Sequence, residues 1–270
     1  MKKLIFYSSF FTLMFLFFNA GAQNKADSSK FTPGTTVGIR GGLSIPNLTG
    51  GGSSSENPLN TGYSSRLGAD VAIDAEFRIS KLFSIQPALE YSSQGGKKNG
   101  MQAFPTPSSY APYFQPYPAP TYLYANFNNS SKLNYLMLPV LAKFGWDFSK
   151  SSPLRFYLDA GPFFGLLLSA KQTTSGSSDV YTLNPSTGAY QQISPSAEPF
   201  NATTDIKDDL HTFNFGIEGN VGFAYKLHNG AIFIEGGGNY GFLNIQKGTA
   251  NGKNETGAGT VAIGYSFSLD

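Results

Sequence analysis

The segment RLGADVAIDAEFRI, residues 66–79, divides by parity. Arg66, Gly68, Asp70, Ala72, Asp74, Glu76 and Arg78 alternate with Leu67, Ala69, Val71, Ile73, Ala75, Phe77 and Ile79. A period of two marks a β-strand whose two faces meet unlike surroundings. In a soluble sandwich or barrel the apolar face is the core. In a membrane barrel it meets lipid and the charged face lines the interior.

The alternation recurs in TTVGIRGGLS (35–44), SIQPALEYSSQ (84–94), TFNFGIEGNVGFAYKL (212–227) and TGAGTVAIGYSFSL (256–269). It is less clean in LNYLMLPVLAKFGWDF (133–148), RFYLDAGPFFGLLLSAK (155–171) and AIFIEGGGNYGFLNI (231–245), the first of which is apolar on both faces in its middle. The gaps between these eight segments alternate in length. Stretches 46–62, 95–131, 172–210 and 246–255 are long, whereas Ser80-Lys81, 149–152 and His228-Asn229-Gly230 are short. Short turns at one end and long loops at the other are the pattern of an outer-membrane barrel. Aromatic pairs near strand ends (Trp146 and Phe148, Tyr240 and Phe242, Tyr265 and Phe267) point the same way.

The expectation is an all-β fold: an eight-stranded antiparallel up-and-down transmembrane β-barrel with short periplasmic turns and long extracellular loops. Pro87, Pro139 and Pro162 fall inside strands of a sheet without a free edge, and bulges are the expected accommodation.

The N-terminus reads MKKLIFYSSFFTLMFLFFNAGAQ. Two lysines, an uncharged run over 4–18 and Ala20-Gly21-Ala22 have the order of a secretory signal peptide. That run is shorter than the roughly 20 residues of a membrane-spanning helix. The expected division is a signal peptide over 1–22, an exposed lead-in over 23–34 and a barrel over 35–270, exported to the bacterial outer membrane. Nineteen basic residues stand against 17 acidic ones, and two of the lysines lie in the leader. No basic excess remains for nucleic acid. The chain has no cysteine, which excludes disulfides and thiolate metal sites. Charged residues make up 13%, half the usual share, aromatic residues 15%, and glycines number 31, a mixture that suits many strands with tight turns and aromatic belts at a membrane interface.

The minority face of the strands collects Arg40, Arg66, Asp70, Asp74, Glu76, Arg78, Glu90, Lys143, Asp159, Glu218 and Glu235, with Lys226 near a turn. Isolated buried charges are costly, so a charge-paired lumen network is expected. Asp74 and Glu76 resemble a catalytic carboxylate couple, but Arg66 and Arg78 share their face and favour simple charge balance. His211 lies beside Asp208 and Asp209, the one arrangement that a membrane hydrolase would use. An interfacial histidine among solvated acids is the plainer account. No catalytic, cofactor or metal site is expected, and the glycine runs lack the lysine and helix of a phosphate loop. In the second loop, FPTPSSYAPYFQPYPAPTYLY (104–124) interleaves proline with aromatic residues. Tyr110, Tyr113, Phe114, Tyr117 and Tyr122 form a candidate contact surface for a surface protein or glycan, with loops 95–131 and 172–210 as its frame.

GIRGGLSIPNL, SIQPALEYSSQGGK, LNYLMLPVLAKF, FYLDAGPFFGLLLSAK, NFGIEGNVGFAYKL and NYGFLNI together resemble the PorT-like outer-membrane β-barrel family over about residues 37–270. The resemblance implies an eight-stranded barrel in the outer membrane. It brings no catalytic residues, and the family's namesake group assists secretion. The Tyr265, Phe267, Leu269 alternation resembles an outer-membrane assembly signal, from which Asp270 departs at the end. The leading functional expectation is a monomeric structural or surface-interaction barrel, embedded in outer-membrane lipid and not an open pore. Alternatives are a secretion-associated barrel component, a transport pore, a lipid-modifying enzyme and a soluble lipocalin-like ligand-binding barrel.

Overall fold

A computed structural model describes residues 34–50, 63–248 and 253–269. The expected leader, all of the lead-in except Gly34, and Asp270 lie outside the described residues. Eight long strands follow one another: β1 (Thr35–Gly50), β2 (Gly68–Arg78), β3 (Phe83–Pro105), β4 (Tyr122–Asp147), β5 (Leu154–Ser175), β6 (Phe213–Leu227), β7 (Gly230–Gly241) and β8 (Asn254–Ser268). Each pairs antiparallel with its neighbours in sequence. β8 then closes on β1 in an unbroken register from Thr36↔Ser268 to Gly50↔Asn254. The result is an up-and-down ring with both ends of the described chain on the short-turn side.

The ambiguity of residues 66–79 resolves on β2. Ile73 is 54% exposed, while Asp70 is 2% exposed. Val37, Ile39, Leu89, Val140, Ile217, Ile234 and Ile263 continue the apolar exterior around the ring. A belt this continuous exceeds what soluble monomers leave in water and suits a hydrocarbon environment. Aromatic rings border it. Towards the short turns, Phe156 lies 5.9 Å from Trp146 and 5.3 Å from Phe223. Towards the long loops, Phe215 lies 5.2 Å from Phe164 and 5.8 Å from Phe242. Phe215 and Phe223 sit on the same strand, roughly 27 Å apart along it. Tilting brings that close to the ~25 Å apolar band of such barrels.

The strands reach well into the regions expected to be loops. β3 has 23 residues and β4 has 26, against 11 for β2. At about 3.3 Å per residue the longer pair runs more than twice as far. Gly95–Pro105 and Tyr122–Lys132 therefore form a ladder standing above the belt, and only 106–121 lie outside it. The third loop folds against this hairpin. Val180–Leu183 pairs with both Tyr124–Ala125 and Tyr190–Gln192, and Ala202–Asp205 pairs with Lys171–Thr174. Phe200 stacks on Phe127 at 4.7 Å and meets Phe104 edge-on at 5.4 Å.

No bulge accommodates the strand prolines. Pro87 stands opposite Val140, and Pro139 opposite Phe163, so the three prolines fall in one row across β3, β4 and β5. The ladder skips from Asp74↔Ala88 to Phe77↔Ile85, from Pro87↔Val140 to Glu90↔Met137, and from Pro139↔Phe163 to Ala142↔Ala160. Register is the same on both sides of each gap. A missing N–H removes rungs without inserting a residue. The register shift between β4 and β5 lies elsewhere, at Asn134/Tyr135.

Candidate functional site

The inward face of the ring brings charges from distant parts of the sequence together. Arg40 on β1 is 5% exposed. Its Nη1 donates to Glu235 Oε1 on β7 at 2.9 Å, and its Nη2 donates to Glu218 Oε1 on β6 at 3.3 Å and to Glu90 on β3. One guanidinium thus ties four strands across the bore. Tyr157 on β5 donates its hydroxyl to Glu235 Oε2 at 2.7 Å, adding a fifth. Such a bridge needs room. A Cβ on Gly222 would lie 2.4 Å from the Tyr157 ring, so only glycine leaves space for that side chain.

Towards the short turns, Lys143 Nζ lies 3.1 Å from Glu76 and donates to Gln86 at 2.9 Å. Asp159, at the same end, accepts from Asn220 at 3.0 Å, whereas Asp70, on the long-loop side of Arg40, accepts from Ser92 at 2.9 Å. Asp74 is buried beside them, and its Oδ2 makes no hydrogen bond among the described residues. Seven buried acids therefore face buried Arg40 and half-buried Lys143. A void of about 40 Å³ remains at this end, lined in part by Asp74, Glu76, Lys143 and Tyr157.

Two of the expected lumen charges stand apart. Arg66 precedes β2 and donates to Ser93 Oγ and the Gln94 carbonyl, each at 3.1 Å, with no carboxylate partner among the described residues. Arg78 ends β2 at the mouth, where solvent reaches it, and approaches Glu76 only to 3.7 Å. Lys226 meets Asp147 at 2.7 Å at the short turns.

The interior is not polar throughout. Towards the long loops Leu48, Leu133, Tyr135, Met137, Phe163, Leu167 and Ala170 form a dry cluster with Leu210 and Ile245. The last two come from the third and fourth loops. Those loops are joined there, since Leu210 bridges to Gln246 and the His211 backbone N–H donates to Ile245 O at 2.8 Å. The histidine ring is exposed, and its contribution is the backbone bond that seats this cap. The signal for the cluster was the two-sided apolar stretch Leu133–Pro139. Nothing in the sequence marked Leu210 or Ile245 as its lid.

Above the cap, Lys98 on β3 lies over the Tyr63 ring at 4.8 Å. Burial pushes its ammonium group down to about 8. At the hairpin tip, Tyr110 and Tyr113 are neighbours, 5.7 Å apart, within the 3₁₀ turn Ser108–Phe114. Tyr117 is 75% exposed, Phe114 is half-buried, and Tyr122 turns towards Gly248. The five aromatics do not form one flat face.

Among solved structures the chain is similar to Neisserial surface protein A, with 14% identity and a TM-score of 0.36 over 86% of this chain and 96% of that one. It is also similar to Ail, the attachment invasion locus protein of Yersinia pestis, solved with the heparin analogue sucrose octasulfate (9% identity, TM-score 0.35, 87% and 99% covered). A third is the outer membrane protein OprG from Pseudomonas aeruginosa (9%, 0.37, 87% and 96%). No curated protein matches the chain. The family described as outer membrane protein beta-barrel domain matches residues 21–247, most of the chain. With its closed ring, lipid-suited exterior and braced interior, this chain belongs to the outer membrane protein beta-barrel domain family.

Proposed function

We propose that this outer-membrane barrel is a sealed anchor for a surface-exposed binding platform, and neither a pore nor an enzyme. The observation that carries the reading is the doubly closed bore. Arg40 and its three glutamates cross it at one level, and the Leu133–Leu167 cluster, capped by Leu210 and Ile245, fills it at another. An eight-stranded ring is only wide enough for its own side chains. Chain length is spent instead on the long-loop end, where β3, β4 and the third loop build a folded structure above the belt.

In this reading the long loops face outside, the short turns and both termini face the periplasm, and residues 1–22 are removed as a signal peptide. The barrel acts as a monomer. The Leu133–Pro139 segment supports the finer PorT-like placement; no secretion role is proposed. Planar-bilayer recording of the purified protein tests the seal, with no steady conductance expected. Protease treatment of intact cells tests the orientation, with cuts expected in 106–121 and 176–212. A stable ion current, or cuts confined to the short turns, refutes the proposal.

A further inference from the structure

The platform contains a cleft that neither the barrel seal nor the aromatic tip uses. It lies between the outer end of β4 and the start of the third loop, with a volume of about 520 Å³. Asn126 and Asn128 line one side, Ser175, Ser177 and Asp179 the other, and Tyr181 supplies a ring. The backbone fixes this shape. The Asn126 N–H donates to Ser178 Oγ at 3.0 Å, and Ser178 Oγ donates onward to the Asp179 carbonyl at 2.7 Å. Gly176, with φ at +124°, lies in the bulge between the Ser175↔Asn128 and Val180↔Ala125 pairs, and its N–H donates to Asn201 Oδ1 at 3.2 Å. Ser177–Ser178 is further held by pairing with Glu198–Pro199.

The side chains lining the cleft are not spent on this framework. Among the described residues, the carboxamides of Asn126 and Asn128, the Asp179 carboxylate, the Ser175 and Ser177 hydroxyls and the Tyr181 hydroxyl make no hydrogen bond. They are donors and acceptors, those of Asn126, Asn128, Ser175 and Ser177 exposed, carried on a held backbone around a space within the roughly 300–1,000 Å³ of small-molecule sites. Amide and carboxylate groups can each pair with two adjacent hydroxyls, and an aromatic ring accepts the C–H face of a sugar. The cleft's one charge is negative, and no cation lines it, which turns away sulfated, phosphorylated or acidic ligands. An extended peptide finds no free edge, because Val180–Tyr181 already pairs with Tyr124–Ala125. We infer that this cleft binds a short neutral oligosaccharide through Asn126, Asn128 and Asp179.

The inference rests on the reading of the long-loop end as a surface platform, and the test separates the two. The purified mature protein, in a detergent without a sugar headgroup, is applied to a glycan array holding neutral, sialylated and sulfated oligosaccharides. Binding to neutral members is expected, weakened at least tenfold by the Asn128→Ala/Asp179→Ala double variant and unchanged by Ser186→Ala in an exposed turn outside the cleft. Asp179→Asn, which keeps one acceptor and one planar group, retains most of it. Binding confined to anionic glycans, no glycan binding at all, or binding indifferent to the double variant overturns the assignment. Should that happen while intact-cell proteolysis still cuts 106–121 and 176–212, only the ligand class falls. Loss of those cuts removes the platform reading itself.

Discussion

Replacing Arg40 by alanine tests whether the charged cross-brace holds the barrel together. The side chain is almost wholly buried and meets Glu90, Glu218 and Glu235. Each charge-assisted hydrogen bond is worth roughly 1.5–3 kcal/mol in isolation, but three that share one guanidinium do not add. Removing one partner of a buried pair costs about 3–5 kcal/mol, because the remaining charge stays in a poor solvent. Here three carboxylates are left, with Lys143 the one nearby lumen cation among the described residues, so the upper end of that range is expected. The assay is equilibrium urea unfolding in detergent micelles, followed by fluorescence. Trp146 is the only tryptophan and sits against Phe156 at the short-turn girdle. The cost of Arg40→Ala should shrink in a Glu90→Gln background, where one fewer charge is stranded. A loss under about 1 kcal/mol, or an equal loss in both backgrounds, refutes the reasoning: the brace would then be incidental to a barrel held by its backbone ladder.

Three further predictions concern other parts of the molecule. Ile73 lies at the middle of β2 on the exposed face, so Ile73→Arg is expected to cost about 2–4 kcal/mol in a bilayer, measured by urea titration in liposomes; a neutral result would mean that the face does not meet hydrocarbon. The Tyr135 hydroxyl is buried without a hydrogen bond among the described residues, so Tyr135→Phe should be neutral or stabilising by about 1 kcal/mol, and a clear loss of stability in the same titration would reveal an unrecognised partner. Lys98 has its folded pKa pushed down to about 8 by burial. A base depressed in this way is penalised while charged: the penalty is complete below about pH 8 and fades as pH rises towards the ~10.4 of an unfolded lysine. Wild-type stability should therefore gain on Lys98→Met as pH climbs from 8 to 10, and parallel curves for the two proteins would contradict this.

Much of the ring was legible because membrane strands separate their faces by chemistry. Residues 66–79 and 212–227 carry lipid-facing and lumen-facing groups in alternation, so strand identity could be argued from them, while facing came from the alternating loop lengths and the aromatic pairs near strand ends. The upper parts of β3 and β4 were read as loops for the converse reason. Lys97–Gly100 and Asn128–Lys132 carry no apolar side chain on either face, even where the fold buries Lys98, so they leave no alternation to read. Parity grouped the charges on one face of their strands, but it cannot tell that Arg66 precedes its strand or that Arg78 ends at the mouth. Leu210 and Ile245 were missed because a cap depends on how two loops meet. The cleft of Asn126, Asn128 and Asp179 depends likewise on the third loop bulging away from β4 after Ser175 and pairing with it again at Val180, which no local pattern announces.

The row of Pro87, Pro139 and Pro162 gives the ring a weak side. A cylinder of hydrogen bonds has no frayed end, so its breathing begins where rungs are already missing. The seam between β1 and β8, closed last in chain order, carries 15 consecutive residue pairs and is the more rigid join. The crease lies instead beneath the tall hairpin, in β3, β4 and β5. Lateral pressure from the bilayer will flatten the cylinder along that line first, and a load on the platform, transmitted down the same strands, will be absorbed as flexing of one wall while the opposite wall keeps its shape.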